Sequence, residues 1–197
     1  MKTGIMILAA GNSSRLGKPK QLLDHQGKTL LEITSEAAIA ASSGNPVVVV
    51  LGAYANEISK HHHEANIIYI VNESWEEGMS SSISAGLTTL LAQNSAMEQV
   101  IIAVSDQPFI NAAIFESLIK KQEQTGKSIV ASSYAQTIGT PALFNRKHFE
   151  ELLSLSGNNG AKHLLKKYTG DTETISFELG YIDIDTETDY NNLIHHR

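Results

Sequence analysis

The chain has 197 residues, 42% of them hydrophobic and 18% charged, which suits one compact globular domain over residues 1–197 and excludes a disordered tail or a fibre. Fifteen Lys and Arg against 21 Asp and Glu leave a formal charge of -6, so the surface as a whole repels nucleic acid and anionic membranes. The absence of cysteine excludes disulfides, Cys-ligated zinc and thiol catalysis, and agrees with a reducing, cytoplasmic setting.

The first apolar run, Ile5-Met6-Ile7-Leu8, reads as a strand. With Ala9 and Ala10 it falls short of the roughly 7–15 apolar residues of a secretion signal, and polar Gly-Asn-Ser-Ser-Arg follows at once. No other stretch approaches the ~20 apolar residues that span a bilayer, so the expectation is a soluble, untargeted chain. Further strands are expected at Val47–Leu51, Ile67–Val71, Val100–Val104 and Ile129–Ala131, all apolar on both faces, as in a parallel sheet covered by helices on each side. Helical spacing falls between them, at Leu30–Ala41, Tyr54–His62, Ser80–Ala92 and Ala112–Glu123, with Asn111 as N-cap of the last. Beyond residue 140 come a short apolar piece (Ala142–Phe144), helical stretches near Lys147–Leu155 and Ala161–Tyr168, and β-like Thr174–Phe177 and Tyr181–Ile184. This tail reads as a cover over one side of the sheet. The fold class is α/β, a Rossmann-like three-layer sandwich with a mostly parallel, mixed sheet.

Ligands of open parallel sheets bind beyond the carboxyl ends of the strands. The loop after the first strand, Leu8-Ala9-Ala10-Gly11-Asn12-Ser13-Ser14-Arg15-Leu16-Gly17-Lys18-Pro19-Lys20, combines small residues that expose backbone N–H groups with cations that suit a polyphosphate. It lacks both the P-loop ending and the dinucleotide pattern, and an ordinary turn explains the composition equally well. After Val104 comes Ser105-Asp106-Gln107-Pro108, where Asp106 is either a Mg²⁺ ligand beside substrate phosphates or a turn residue held by backbone. Gly78-Met79-Ser80-Ser81-Ser82 opens a helix. One serine suffices as a cap, and the others are free to contact a base or ribose or to serve only the helix terminus.

Three further groups are less telling. His61-His62-His63 reads as a solvated helix end, and His195-His196-Arg197 as a frayed terminus. Hydroxyl-rich segments contain no Gly-x-Ser-x-Gly elbow, which excludes the usual hydrolase triad. Near the C-terminus, Asp185 and Thr186 read as caps of the last helix, with Glu187 and Asp189 in its first turn. Asp183 has no such local task. On a strand it would share a face with Asp185 and could supply a second carboxylate to a metal.

With these motifs the chain resembles the MobA-like nucleotidyltransferases, in particular the molybdenum cofactor cytidylyltransferase branch. The resemblance is carried by Leu8–Gly17 with Lys20–Leu23, Asn72, Trp75 and Gly78–Ser82 with Gly86, Asp106-Gln107-Pro108, Gly139-Thr140-Pro141 with Phe144, Ser156–Lys162 and Asp183–Thr186. It implies a nucleoside triphosphate wrapped by Leu8, Ala9, Ala10, Gly11, Asn12, Ser13 and Ser14, with Arg15 and Lys20 on its phosphates. It also implies Gly78, Met79, Ser80 and Ser82 along base and ribose, and Mg²⁺ on Asp106, to which Asp183, or else Asp185, is the candidate second ligand by its position. Arg15, Lys20 and Asp106 are then the catalytic set. Ala9-Ala10-Gly11, in place of the Ala-Gly-Gly of the GTP-using branch, favours CTP, and the acceptor implied is a molybdopterin-type cofactor, delivered in turn to a molybdenum enzyme. Asn158 departs from the family's frequent Asp, and Glu187-Thr188 from a common Pro-Glu. Transfer of CMP or UMP to a sugar or polyol phosphate, and a non-catalytic accessory role for a molybdenum enzyme, are the alternatives.

Overall fold

The computed structural model describes residues 1–62, 64–157 and 160–195. Strand β1 (Thr3–Ala9) leads into the long loop, which closes with a 3₁₀ turn at Lys20–Leu22 and a two-residue hairpin, β2 (Asp24–His25) and β3 (Lys28–Thr29). Helix α1 (Leu30–Ala41) begins with a reciprocal cap: the Glu32 N–H donates to Thr29 Oγ1 at 3.1 Å while the Thr29 N–H donates to Glu32 Oε2 at 2.6 Å. Then follow β4 (Val47–Leu51), α2 (Ala55–Ile58), β5 (Ile68–Val71), α3 (Met79–Gln93), β6 (Gln99–Val104) and α4 (Ala112–Thr125). The expected Asn111 cap is present, its side chain accepting from the Ile114 N–H at 3.3 Å.

The remaining elements are β7 (Ile129–Tyr134), β8 (Thr137–Asn145), α5 (Phe149–Leu153), α6 (Lys162–Lys167), β9 (Thr172–Ser176) and α7 (Glu187–His195). Seven strands form one sheet in the order β5-β4-β1-β6-β8-β7-β9. Strands β5, β4, β1 and β6 are mutually parallel. Strand β8 is antiparallel to both β6 and β7, and β9 runs parallel to β7.

The tail is therefore more than a cover. Ala142–Phe144, too short to read as a strand alone, lies in the C-terminal half of β8, which is inserted between β6 and β7. Two other expectations shift. The helix expected over Tyr54–His62 keeps one regular turn, after which i→i+3 bonds such as His61 N to Ile58 O tighten the chain. Strand β5 is half-buried because it forms a sheet edge.

Alternation along the strands divides the core into two faces. Ile5, Ile7, Val49 and Leu143 pack beneath α1 and α4 with Leu31 and Phe115. Met6, Leu8, Val48, Val50 and Phe144 pack against Ile83, Leu87, Leu152 and Leu164 of α3, α5 and α6. These are the three layers. Both sides meet at the carboxyl ends of β1 and β6, which are adjacent and in register from Thr3–Gln99 to Leu8–Val104. Phe144, opposite Val100 near the start of β6, is fully buried, so Phe144→Ala is expected to lower unfolding free energy by about 3–5 kcal/mol in urea titration. A loss below about 1 kcal/mol would show that β8 is not part of the core.

Candidate active site

The loops leaving β1 and β6 and the segment before α7 meet on a single ammonium group. Lys20 Nζ donates to Asp106 Oδ2 at 2.6 Å and to Asp185 Oδ1 at 2.8 Å, and Arg15 Nη2 donates to Asp185 Oδ2 at 2.5 Å. Lys20 is held there by local structure. Its backbone N–H donates to Ser13 Oγ at 3.3 Å, and the 3₁₀ turn beginning at Lys20 brings in Gln21, whose buried amide donates to Ala9 O at 2.8 Å. The Asp185 side of the cluster is fixed by the Ile184 N–H, which donates to Asp106 O at 3.1 Å.

The charges are mutually adjusted. Burial opposes the charge on Lys20, but Asp106 and Asp185 outweigh it and hold the lysine above its ordinary pKa. Burial likewise opposes ionisation of Asp185, yet hydrogen bonds from Lys20 and Arg15 keep its carboxyl below the usual range. Asp183 lacks such relief: burial, then the negative charges of Asp106 and Asp185, push its carboxyl up. Burial also raises the Tyr134 phenol, which faces Asp183 and Asp106.

Two clefts flank the cluster. One, of about 410 Å³, runs along Leu8–Asn12 and is closed by Lys20, Trp75, Gly78, Met79, Ser82 and Asp106. Gly52 lets its wall form, because a Cβ there would stand 2.6 Å from Ala10 O and 2.8 Å from Trp75 Cβ. The other, of about 490 Å³, includes Asp106, Gln107, Tyr134, Lys162 and Asp183. The two share Met79, Val104 and Asp106.

Most residues expected at a nucleotide site thus line one cleft, and four do not. Ser13 supports Lys20, Ser14 is an exposed turn residue, and Arg15 lies at the rim with its side chain 67% exposed. Ser80 is buried and its hydroxyl donates to Gly157 O at 2.7 Å, so it braces the loop before α6. Ser81 is similarly engaged, donating to Gly78 O at 2.8 Å. Lys18 leaves the cluster for Glu187, 2.7 Å away.

Asp183 and Asp106 do line one cleft, although Asp183 reaches it without the strand expected over Tyr181–Ile184. Residues Glu178–Tyr181 form a 3₁₀ turn, after which the chain runs irregularly alongside Asp106. Asp185 is no cap: Thr186 and Asp189 cap α7 reciprocally, with the Asp189 N–H donating to Thr186 Oγ1 at 3.1 Å and the Thr186 N–H to Asp189 Oδ2 at 2.7 Å. That reassignment frees Asp185 for Lys20 and Arg15. Of the histidine run, His62 is buried and lies 3.3 Å from Thr29 Oγ1, contrary to a solvated helix end. His63, His196 and Arg197, with Asn158 and Asn159 of the Ser156–Lys162 motif, lie outside the described residues.

Among the described residues no cluster of three or more His, Cys, Asp and Glu side chains is poised around a metal, and no helix is long and apolar enough to cross a membrane. The donor set nonetheless fits a hard divalent ion. Asp106 and Asp183 offer only carboxylate oxygens, Mg²⁺ commonly takes one or two of these with substrate phosphates, and a lysine ammonium already sits on Asp106.

Against known proteins, the family model for the MobA-like NTP transferase domain matches residues 5–172, and the chain belongs to that family. Its relatives carry differing names. A nicotine blue oxidoreductase from Paenarthrobacter nicotinovorans is 31% identical over 147 residues, covering 74% of this chain and 68% of its own. A molybdenum cofactor cytidylyltransferase from Escherichia coli is 26% identical over 114 residues, 57% of this chain and 56% of its own. The crystal structure of Rv0371C from Mycobacterium tuberculosis, a manganese complex, superposes with a TM-score of 0.80 at 25% identity over 100% of both chains.

The coupling of Asp185 to its cations has a pH signature. A carboxyl with a lowered folded pKa contributes stability above its unfolded pKa and loses it as pH falls through the folded value. The drop in urea-unfolding stability from pH 7 to pH 3 is therefore expected to be smaller in Asp185→Asn than in the unsubstituted protein. An equal drop in both would contradict the pairing.

Proposed function

We propose that the protein is a metal-dependent cytidylyltransferase that joins CMP from CTP to the terminal phosphate of a molybdopterin-type cofactor, releasing pyrophosphate. The observation that carries this reading is the meeting of two clefts at Asp106, with Lys20 poised on the carboxylate. The family membership supports nucleotidyl transfer. The choice of CTP and molybdopterin draws on Ala9-Ala10-Gly11 and on the name of the Escherichia coli relative.

The acceptor suits a site without a general base, because a phosphate monoester is already anionic at pH 7. Its oxygen forms a bond to the α-phosphorus while the bond to the bridging oxygen breaks, and the electron pair leaves with pyrophosphate. Backbone from Ala9 to Asn12 cradles the triphosphate, and Lys20 turns from Asp106 and Asp185 to the phosphates. Arg15, held at the rim by Asp185, neutralises the outer charge. Asp106 and Asp183 would hold a Mg²⁺ or Mn²⁺ ion, which supplies charge neutralisation at the reacting phosphoryl group. Fixing two anions in line is the remaining task of the clefts.

Pyrophosphate release tests the scheme. With CTP, Mg²⁺ and molybdopterin, Asp106→Ala is expected to abolish turnover and Lys20→Ala to slow it by at least ~10²-fold. Unchanged rates in either variant would remove that residue from the chemistry. The 31% identity to the Paenarthrobacter relative favours a second reading, an oxidoreductase, which predicts no pyrophosphate from any nucleoside triphosphate.

A further inference from the structure

Beside the nucleotide side, the 490 Å³ cleft carries two carboxylates, Asp106 and Asp183, and among the described residues that line it there is one cation, Lys162. We propose that Lys162 is the acceptor-binding residue, its ammonium engaging the terminal phosphate of the acceptor and holding it against the Asp106 side of the cleft. This rests on the nucleotidyltransferase reading and adds to it a residue and a subsite.

The electrostatics set the requirement. A divalent ion on Asp106 and Asp183 would do no more than cancel those two carboxylates, so the acceptor's phosphate dianion needs a cation of its own, and in a partly buried cleft that pairing is stronger than in bulk water. Lys20 and Arg15 serve the opposite side, bound to Asp106 and Asp185. Lys162 is the cation that lines the cleft where the acceptor enters. Its side chain is exposed and open to an incoming anion.

The backbone beneath Lys162 is anchored rather than loose. Ser80 donates to Gly157 O from both its hydroxyl, at 2.7 Å, and its N–H, at 3.3 Å, which ties the start of α3 to the approach to α6. Gly160 lies so close to Met79 that a Cβ would stand 2.5 Å from its sulfur. Ala161 and Leu165 are buried in the core on either side of Lys162. The serine-rich helix start, expected to read a base, thus braces Gly157 on the approach to α6. Lys162 also borders a smaller cavity of about 160 Å³ with apolar walls from Leu8, Met79, Ile83 and Leu165. The ligand described by these features is a phosphate monoester whose body presents an apolar face.

Lys162→Ala and Lys162→Arg separate this idea from the reading beneath it. CTP affinity measured by calorimetry is expected to stay within about twofold in both variants. With molybdopterin as acceptor, Lys162→Ala is expected to raise the acceptor KM by about tenfold or more while the CTP KM holds, and Lys162→Arg to recover most of the loss. Binding of phenyl phosphate, followed by ³¹P line broadening, is expected to weaken at least about tenfold in Lys162→Ala whether or not turnover occurs. An unchanged acceptor KM with intact CTP binding would overturn the role of Lys162 and leave the nucleotidyltransferase reading standing. Absence of turnover in the unsubstituted protein would defeat that reading instead, and phenyl phosphate would then decide alone: no binding to the unsubstituted protein, or equal binding to Lys162→Ala, overturns the proposal.

Discussion

The ammonium of Lys20 between the carboxylates of Asp106 and Asp185 joins three parts of the chain that are remote in sequence. It draws the long loop after β1, the end of β6 and the segment before α7 to one point. Each partner is anchored independently: Gln21 ties the first loop to Ala9, and Ile184 ties the last segment to the backbone of Asp106. The central strands permit this because β1 and β6 are adjacent, parallel and buried on both faces, so their carboxyl ends open side by side.

On the proposed reading, anionic substrates account for the charge gathered at this site in a chain of net charge -6. Lys20, Arg15 and Asp185 hold one another in place, and a triphosphate would exchange carboxylate partners for phosphate ones. Asp183 is the uncompensated member, its carboxyl raised by burial and by its acidic neighbours. A divalent ion would cancel that negative charge, so the acceptor phosphate of the proposed reaction needs a cation of its own, and Lys162 lines that cleft.

The parts of this architecture that depend on local pattern could be read from the residues. Val47–Leu51 and Leu30–Ala41 have the boundaries expected of them, and Asn111 caps its helix, because uninterrupted burial and capping chemistry are short-range properties. What depends on partners distant in sequence could not. Ala142–Phe144 is a strand because β6 and β7 offer ladders on both sides, and its own length gives no hint of a nine-residue strand. Asp185 looked like a cap because Thr186 and Asp189, which do that work, stand beside it. Ser80 has the composition of a ligand contact and the geometry of a brace. Lys162 reads in the sequence only as part of a motif, since its place in one cleft with Met79 and Asp183 is a product of the fold.

The account turns on the cluster around Lys20 being a site for nucleoside triphosphate and metal. Calorimetric titration of the protein with CTP, GTP, ATP and UTP, each with and without Mg²⁺, tests this most directly. The account predicts saturable binding that strengthens with Mg²⁺ and favours CTP. Binding of none of the four nucleotides under either condition would contradict it.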